Sequence, residues 1–208
     1  MLKEIMAYFG FRRVFKEAGF FEVENHERLV EELKAAILAG KLVAFCGIIG
    51  CGKTTTLRRV QKDLQKDKKI LISKSLAVTK GRVKLPTLIQ ALYFDLSPGK
   101  KVTIPGQPEK RERTLVELVH KRNRPVALFI DDAHELHGNT LKGLKKLIEL
   151  IQGGGNTLSL VLIGHPKLKT DLRKATSEAI GARTTVFSFE GIKGREKQYI
   201  EWLLGKCL

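Results

Sequence analysis

A glycine-rich segment in the first quarter of the chain has the residue types and spacing needed to hold phosphate groups. Residues 47–54 read GIIGCGKT, which fits the pattern G-x-x-x-x-G-K-[ST] in full. The glycines let successive backbone N–H groups face one point, and the N-terminus of a following helix adds positive potential. We therefore predict that ATP is bound by Gly47, Ile48, Ile49, Gly50, Cys51, Gly52, Lys53, Thr54 and Thr55.

Two side chains of this loop and one acid elsewhere are candidates for the chemistry itself. Lys53 is expected to reach the β- and γ-phosphates, and the Thr54 hydroxyl to ligate Mg²⁺. A second apolar run, VALFI at residues 126–130, is followed directly by Asp131 and Asp132. Asp131 is placed to hold the Mg²⁺ through water, so the predicted metal ligands are Thr54 and Asp131.

The elements that must position these residues alternate along the chain. Apolar runs predict strands at residues 42–46, 69–73, 126–130, 158–163 and 185–189. Helical periodicity predicts helices at residues 26–38, with Asn25 as N-cap, and at 52–66, 86–96, 112–121, 139–151 and 197–204. Strands that are apolar from end to end and alternate with helices indicate an α/β fold with a five-stranded parallel sheet covered on both faces.

The charge of the chain points to a polyanionic partner. Lys and Arg number 38 against 22 Asp and Glu, a net charge of +16. Residues 74–124 carry twelve basic and four acidic side chains without a recognition-helix or zinc-finger motif, so we predict contacts with the DNA backbone rather than with bases. The candidate DNA-binding residues are Lys74, Lys80, Arg82, Lys84, Lys100, Lys101 and Thr103.

The sequence predicts no membrane association. The longest apolar runs are far shorter than the roughly 20 residues that a spanning helix needs. Cys46, Cys51 and Cys207 form no metal-ligand spacing, which favours a reduced, cytoplasmic protein without structural disulfides. We also expect thiol reagents to attack Cys51 and to block nucleotide binding.

Several motifs together resemble the AAA+ ATPases of the ExeA/TniB/TnsC group, a branch of the P-loop NTPases that includes transposition regulators and a secretion ATPase. The matching segments are YFGF at residues 8–11, the loop 47–54, IDDAH at 130–134, GHPKL at 164–168, and Arg183. The resemblance covers most of the chain.

This resemblance implies further catalytic roles. Asp132 stands where relatives keep a glutamate that polarises the attacking water, and its side chain is one methylene shorter, so we expect slow hydrolysis; Glu135 is an alternative. His165 takes the position that reads the γ-phosphate. Arg183 is the expected arginine finger, which acts on the nucleotide of a neighbouring subunit, with Arg173 as a competing candidate.

The resemblance also implies a domain organisation. We expect an N-terminal leader packed on the body at residues 1–25, the AAA+ core at 26–190, and the start of a minimal or truncated lid at 191–208. The helical lid that is usual in this group is therefore predicted to be reduced or absent.

The function implied is an ATP-dependent, DNA-binding AAA+ ATPase that assembles as a homo-oligomeric ring or filament on double-stranded DNA. In the transposition regulators such an assembly recruits or activates a transposase and works with a target-selection factor. Three alternatives remain open at this point: a secretion-type ATPase, an ATP-gated scaffold with little hydrolysis, and a helicase loader.

Overall fold

The computed structural model describes residues 2–21, 24–66, 68–75, 83–99, 102–174 and 184–208. Five strands form one sheet: β1 (Leu42–Cys46), β2 (Leu71–Lys74), β3 (Val126–Ile130), β4 (Leu158–Gly164) and β5 (Thr184–Ser188). Their order is β2-β3-β4-β1-β5, and every pairing is parallel. The predicted five-stranded parallel α/β sheet is thus confirmed.

Helices connect the strands and cover the sheet. They are α1 (Leu2–Tyr8), α2 (Glu24–Leu38), α3 (Lys53–Lys66), α4 (Leu85–Leu96), α5 (Pro108–Arg122), α6 (Gly138–Gly153), α7 (Lys167–Leu172) and α8 (Glu196–Cys207), with 3-10 turns at Phe15–Glu17 and Ala133–Glu135. None of the helices in the described ranges combines the length and the apolar character needed to cross a membrane.

Two apolar cores lie on opposite faces of the sheet because side chains alternate along each strand. In β1, Ala44 and Cys46 join the core under α4, α5 and α6, whereas Val43 and Phe45 join the core under α2 and α3. The central strands β1, β3 and β4 are buried throughout, while β2 and β5 at the edges are partly exposed. This burial explains why all three central strands read as continuous apolar runs.

Several boundaries differ from the sequence-based predictions. The edge strands are displaced: β2 lies at Leu71–Lys74 rather than 69–73, and β5 at Thr184–Ser188 rather than 185–189. Each edge strand has one neighbouring strand and a weaker apolar pattern than the central strands. Its bounds are therefore set by its pairing with β1 or β3 and are hard to locate from its own sequence. The N-cap assignment of Asn25 is wrong, because α2 already begins at Glu24.

Helical stretches were underestimated in several places, among them α8, which runs over Glu196–Cys207 rather than 197–204. Helix α5 extends from Pro108 to Arg122 rather than over 112–121, since proline at the first helical position has the φ that a helix requires. Asn123 caps the carboxyl end of this helix with a left-handed φ of 46°. The short helices α1 and α7 carry too few turns for their periodicity to be recognised in sequence.

The N-terminal segment packs against α8. The backbone N–H of Arg12 donates to the carbonyl oxygen of Cys207 at 2.6 Å, and the ring of Phe21 contacts Tyr199 and Trp202 with centroid distances of 5.6 and 5.4 Å. The division of the chain at residues 25 and 190 stays a prediction.

Candidate nucleotide-binding site

The glycine-rich loop joins β1 to α3 at the carboxyl edge of the sheet, where ligands of open parallel sheets bind. Gly50 and Gly52 have φ values of 81° and 99°, a backbone region that other residues rarely adopt. A Cβ atom on Gly47 would lie 2.5 Å from the carbonyl oxygen of Phe189 and 2.8 Å from Cys51 Sγ. The loop therefore curls too tightly for a side chain at Gly47, as a phosphate cradle requires.

Lys53 is the first residue of α3, and its side chain lies over the loop. Its Nζ donates to the carbonyl oxygens of Gly47 at 2.8 Å and Ile48 at 2.7 Å, and lies 3.8 Å from Cys51 Sγ. The ammonium group is thereby held at the centre of the loop. Ile48, Ile49, Thr54 and Thr55 are exposed around it.

The acids predicted from sequence follow β3, next to the loop. The side chains of Thr54 and Asp131 line one cavity of about 320 Å³, so the structure brings the two predicted Mg²⁺ ligands together. Asp131 Oδ1 accepts a hydrogen bond from the backbone N–H of Asp132 at 3.0 Å. This bond fixes the orientation of the Asp131 carboxylate at the end of the strand.

Asp132 has a backbone conformation that limits which residues can replace it. Its φ of 51° is left-handed, which Asp and Asn tolerate better than other non-glycine residues do. It lies at the N-cap of the 3-10 turn Ala133–Glu135, and its side chain is exposed. The carboxylate is thus accessible to water at the same sheet edge as Asp131.

His165 follows β4 and lies beside a second histidine, His134, for which the sequence predicted no role of its own. The rings are 6.2 Å apart between centroids, and the backbone nitrogen of His165 lies 3.5 Å from His134 Nδ1. A Cβ on Gly164 would lie 3.1 Å from the same Nδ1 atom, so glycine makes room for this approach. His134 therefore supports the backbone that carries His165.

An apolar cavity of about 210 Å³ adjoins the phosphate loop and was not anticipated from sequence. Gly50, Cys51, Gly52, Thr55 and Thr56 form part of its lining. The remainder comes from distant segments of the chain, namely Gly19, Phe20, Phe21, His26, Phe189, Ile192 and Tyr199. Its aromatic lining suits the flat base of a nucleotide whose phosphates lie in the loop.

His26 lines this cavity, and its side chain is held by Gly191, which packs against Cys51 of the loop. His26 Nε2 donates to the carbonyl oxygen of Gly191 at 2.7 Å, and the imidazole contacts the Phe189 ring at a centroid distance of 4.8 Å. Gly191 has a φ of 71°, and a Cβ there would lie 2.5 Å from the carbonyl oxygen of Cys51. No local sequence motif identifies His26 or Gly191 as part of a binding site. The cluster of aromatic residues in the N-terminal segment was the sequence feature that could have indicated this cavity.

The cysteines occupy different environments. Cys46 belongs to one apolar core and Cys51 packs against the other, so the sheet separates them. Burial raises the pKa of the Cys46 thiol above its usual value of 9.0. Cys207 is fully buried, which leaves Cys51 as the partly exposed thiol of the three.

The residues predicted to contact DNA are spread over the described part of the chain. Lys74 lines the same cavity as Thr54 and Asp131, whereas Lys84 is exposed immediately before α4 and Thr103 is exposed before α5. Arg173 is exposed at the end of α7, and Glu135 in the 3-10 turn. Lys80, Arg82, Lys100, Lys101 and Arg183 fall outside the described residues.

The residues present fit a magnesium-bound nucleotide. The donor set at the sheet edge consists of a hydroxyl and carboxylates, which are the oxygen ligands that Mg²⁺ prefers. The glycine cradle and the Lys53 ammonium supply the complementary donors for phosphate oxygens.

Comparison with known proteins supports the same kind of fold. A family model described as an AAA domain matches residues 38–172. Among curated proteins, the chain is similar to the ATP-binding protein Uup of Escherichia coli (strain K12), with 28% identity over 189 residues. The match covers 71% of this chain and 27% of that protein, so the chain spans about a quarter of its relative.

Three solved structures share the architecture. ORC2 from Aeropyrum pernix, in ADPNP–ADP complexes, superposes with a TM-score of 0.65 at 19% identity, covering 94% of this chain and 55% of that one. Cdc6p from Pyrobaculum aerophilum superposes with a TM-score of 0.64 at 20% identity, and the match covers 90% of this chain and 51% of that one. Drosophila ORC bound to DNA superposes with a TM-score of 0.64 at 16% identity, and the match covers 85% of this chain and 46% of that one. The chain spans about half of each, and at these identities the likeness concerns the fold.

Proposed function

Because the chain belongs to the AAA domain family, we propose that it hydrolyses ATP and binds double-stranded DNA in its ATP-bound state. The observation that carries this proposal is the meeting of three groups at one sheet edge. Lys53 lies over the phosphate loop, and Thr54 and Asp131 share the adjoining cavity. The resemblance to the ExeA/TniB/TnsC group, with the sequence motifs that define it, supports an assignment within this family.

The arrangement divides the nucleotide between two parts of the site. The glycine loop and Lys53 hold the phosphates, and the aromatic cavity that includes Phe21 and His26 takes the base. Thr54 and Asp131 hold Mg²⁺, which when bound offsets the negative charge of the phosphates. Because of this division, the affinity for ATP depends on residues near both ends of the chain.

Hydrolysis depends on positioning a water molecule against the γ-phosphate. Asp132 accepts a proton from that water, and His165 hydrogen-bonds a γ-phosphate oxygen; Arg183 of a neighbouring subunit completes the site. The carboxylate of Asp132 reaches less far than the glutamate of relatives, so turnover by the isolated protein is slow. Assembly into a homo-oligomer supplies the missing arginine and raises turnover.

DNA binding in this proposal is electrostatic. The net charge of +16 and the concentration of basic residues between positions 74 and 124 support contact with phosphates, and Lys84 and Thr103 are exposed there. One of the similar folds is a protein described as bound to DNA. Subunits assemble side by side as a ring or filament on the duplex, as the resemblance implies.

The biological role that we propose is regulation of DNA transposition. It rests on the resemblance to transposition regulators, in which the ATP-bound assembly engages a transposase and a target-selection factor. An ATP-gated scaffold with little turnover is the second candidate. The short, exposed carboxylate of Asp132 favours it, and polymers that persist in ATP without DNA-stimulated turnover would identify it.

The test is binding to a random-sequence duplex with ATP, a non-hydrolysable analogue, ADP and no nucleotide. We expect cooperative binding with ATP or the analogue alone, and a steep loss of affinity as salt increases. The Lys53→Ala variant should lose nucleotide binding and, with it, this DNA binding. Equal affinity in all four states would contradict ATP gating, and no binding in any state would contradict the DNA-binding role.

A further inference from the structure

The cavity that contains Thr54 and Asp131 is also lined by two basic side chains, Arg58 and Lys74. Its volume is about 320 Å³, and Gln61 and Ser75 add polar groups to its wall. The phosphate-loop chemistry described above uses neither Arg58 nor Lys74. Lys74 is also one of the candidate DNA contacts, but its place beside the metal ligands, together with Arg58, points to a role at this cavity.

Two different elements bring these cations to the cavity. Arg58 follows Thr54 by one helical turn on α3, so both side chains lie on the same helix face. Lys74 is the last residue of β2 and is in register with Phe129 on β3, two residues before Asp131. The placement thus follows from the sheet register and the helix period.

The end of β2 is fixed by hydrogen bonds. Asp95 Oδ2 accepts from the Ser73 hydroxyl at 2.7 Å and from the backbone N–H of Lys74 at 3.0 Å. The backbone N–H of Ser75 donates to the Phe129 carbonyl oxygen at 3.0 Å. These bonds hold the point from which the Lys74 side chain extends.

The cavity has an excess of positive charge. Within the described parts of the chain, neither the Arg58 guanidinium nor the Lys74 ammonium forms an ion pair. Asp131 is the carboxylate in the lining, and the Asp95 carboxylate already accepts hydrogen bonds from the Ser73 hydroxyl and the Lys74 backbone N–H. A bound Mg²⁺ would neutralise the negative charge of Asp131, so the positive charges of Arg58 and Lys74 would remain to attract an anion.

We propose that this cavity is a second anion site, which receives the inorganic phosphate released when ATP is cleaved. The inference rests on the proposed hydrolysis of ATP. A phosphate leaving the metal end of the nucleotide enters this cavity directly, because Thr54 and Asp131 form part of its wall. Arg58 and Lys74 then compensate the charge that the departing phosphate carries.

The experiment measures inorganic phosphate binding to the protein loaded with ADP and Mg²⁺, followed by broadening of the phosphorus resonance of free phosphate. Arg58→Gln and Lys74→Gln should each weaken phosphate binding about two- to fivefold, the range for exposed ion pairs. In Arg58→Gln the loss of phosphate affinity should exceed any change in ADP affinity. Lys62→Gln, an exposed lysine on the same helix that does not line the cavity, is the matched control and should bind phosphate normally.

The outcomes separate this site from the proposed function. Phosphate binding that is absent, or that is equal in the wild type and in both variants, overturns the second site. A short DNA duplex that displaces the phosphate through Arg58 and Lys74 overturns it as well, because the cavity would then serve the DNA backbone. Failure to bind ADP contradicts the proposed function instead, and phosphate binding by the nucleotide-free Lys53→Ala protein then tests the cavity without the loop.

Discussion

His26 Nε2 donates a hydrogen bond of 2.7 Å to the carbonyl oxygen of Gly191, which lies 165 residues further along the chain. The bond joins the beginning of α2 to the segment between β5 and α8. Both residues adjoin the aromatic cavity next to the phosphate loop, because His26 lines it and Gly191 packs against Cys51. One hydrogen bond thus couples the two chain ends at the place where we expect the nucleotide base.

Removing this imidazole should weaken both the fold and nucleotide binding. His26→Ala leaves the half-buried carbonyl of Gly191 without its side-chain partner and removes the contact with Phe189. We expect a loss of about 1–3 kcal/mol in the free energy of unfolding, measured by urea titration, and about tenfold in ATP affinity. His120→Ala, at an exposed histidine on α5, is the control; equal effects of the two substitutions would exclude a specific role for His26.

Asp132→Asn should separate ATP binding from hydrolysis. Asparagine is nearly isosteric and tolerates the φ of 51°, so the fold is preserved while the group that accepts a proton is lost. We expect ATP affinity close to that of the wild type and a turnover number at least about 100-fold lower in a steady-state phosphate-release assay.

The companion substitution Asp132→Glu tests the reach of the carboxylate. If the shorter side chain limits turnover, glutamate should increase it. Wild-type turnover in Asp132→Asn would exclude Asp132 as the base and transfer that role to another group, of which Glu135 is the candidate named from sequence.

Alkylation should modify Cys51 selectively and block nucleotide binding. Cys46 and Cys207 are only 3% and 0% exposed, and the raised pKa of the Cys46 thiol keeps it protonated at neutral pH. Cys51 lies in the loop beside the Lys53 ammonium, so an added group there occupies the phosphate cradle. Mass spectrometry should show one modification that ATP prevents and that Cys51→Ser abolishes; a Cys51-modified protein with unchanged ATP affinity would disprove the argument.

Stability should decrease at alkaline pH because of two buried groups. Burial raises the pKa of Cys46 above 9.0 and that of Tyr93 above 10.0. Well below pH 9 both groups are protonated in the folded and unfolded states, so their contribution to the pH dependence of stability is small. Above these values the unfolded chain loses its protons first, so unfolding is favoured as pH increases.

The measurement is the apparent Tm between pH 7 and 11. Tyr93→Phe removes one ionisable group but also the hydrogen bond from the Tyr93 hydroxyl to the Arg111 carbonyl oxygen, so it should lower the Tm at pH 7 while flattening the alkaline decrease. A decrease as steep as in the wild type would show that Tyr93 does not contribute.

Much of the fold was accessible from sequence because its signals are local. The strands Leu42–Cys46 and Val126–Ile130 were predicted with their observed bounds, since a central strand that is buried on both faces must be apolar at every position. The edge strands were displaced by one or two residues, because exposure on one side removes that constraint.

The phosphate loop and the acids after β3 are likewise encoded by neighbouring residues. The glycine-rich loop and the helix that follows it are recognised from a few consecutive letters, and the structure has both, with the helix beginning at Lys53 rather than at the predicted Gly52. The sequence by itself therefore determined the parallel sheet, the loop between β1 and α3, and the strand that carries Asp131 to the same edge.

Tertiary packing alone decided the rest. The aromatic cavity draws on Phe21 and His26 near one end of the chain and on Phe189 and Tyr199 near the other, and no periodic pattern joins positions so far apart. The meeting of Lys74 with Asp131 depends on the pairing of β2 with β3, which follows from the whole sheet order. Backbone conformation is a short-range property of the chain, whereas cavities arise from contacts that form only when distant elements pack together.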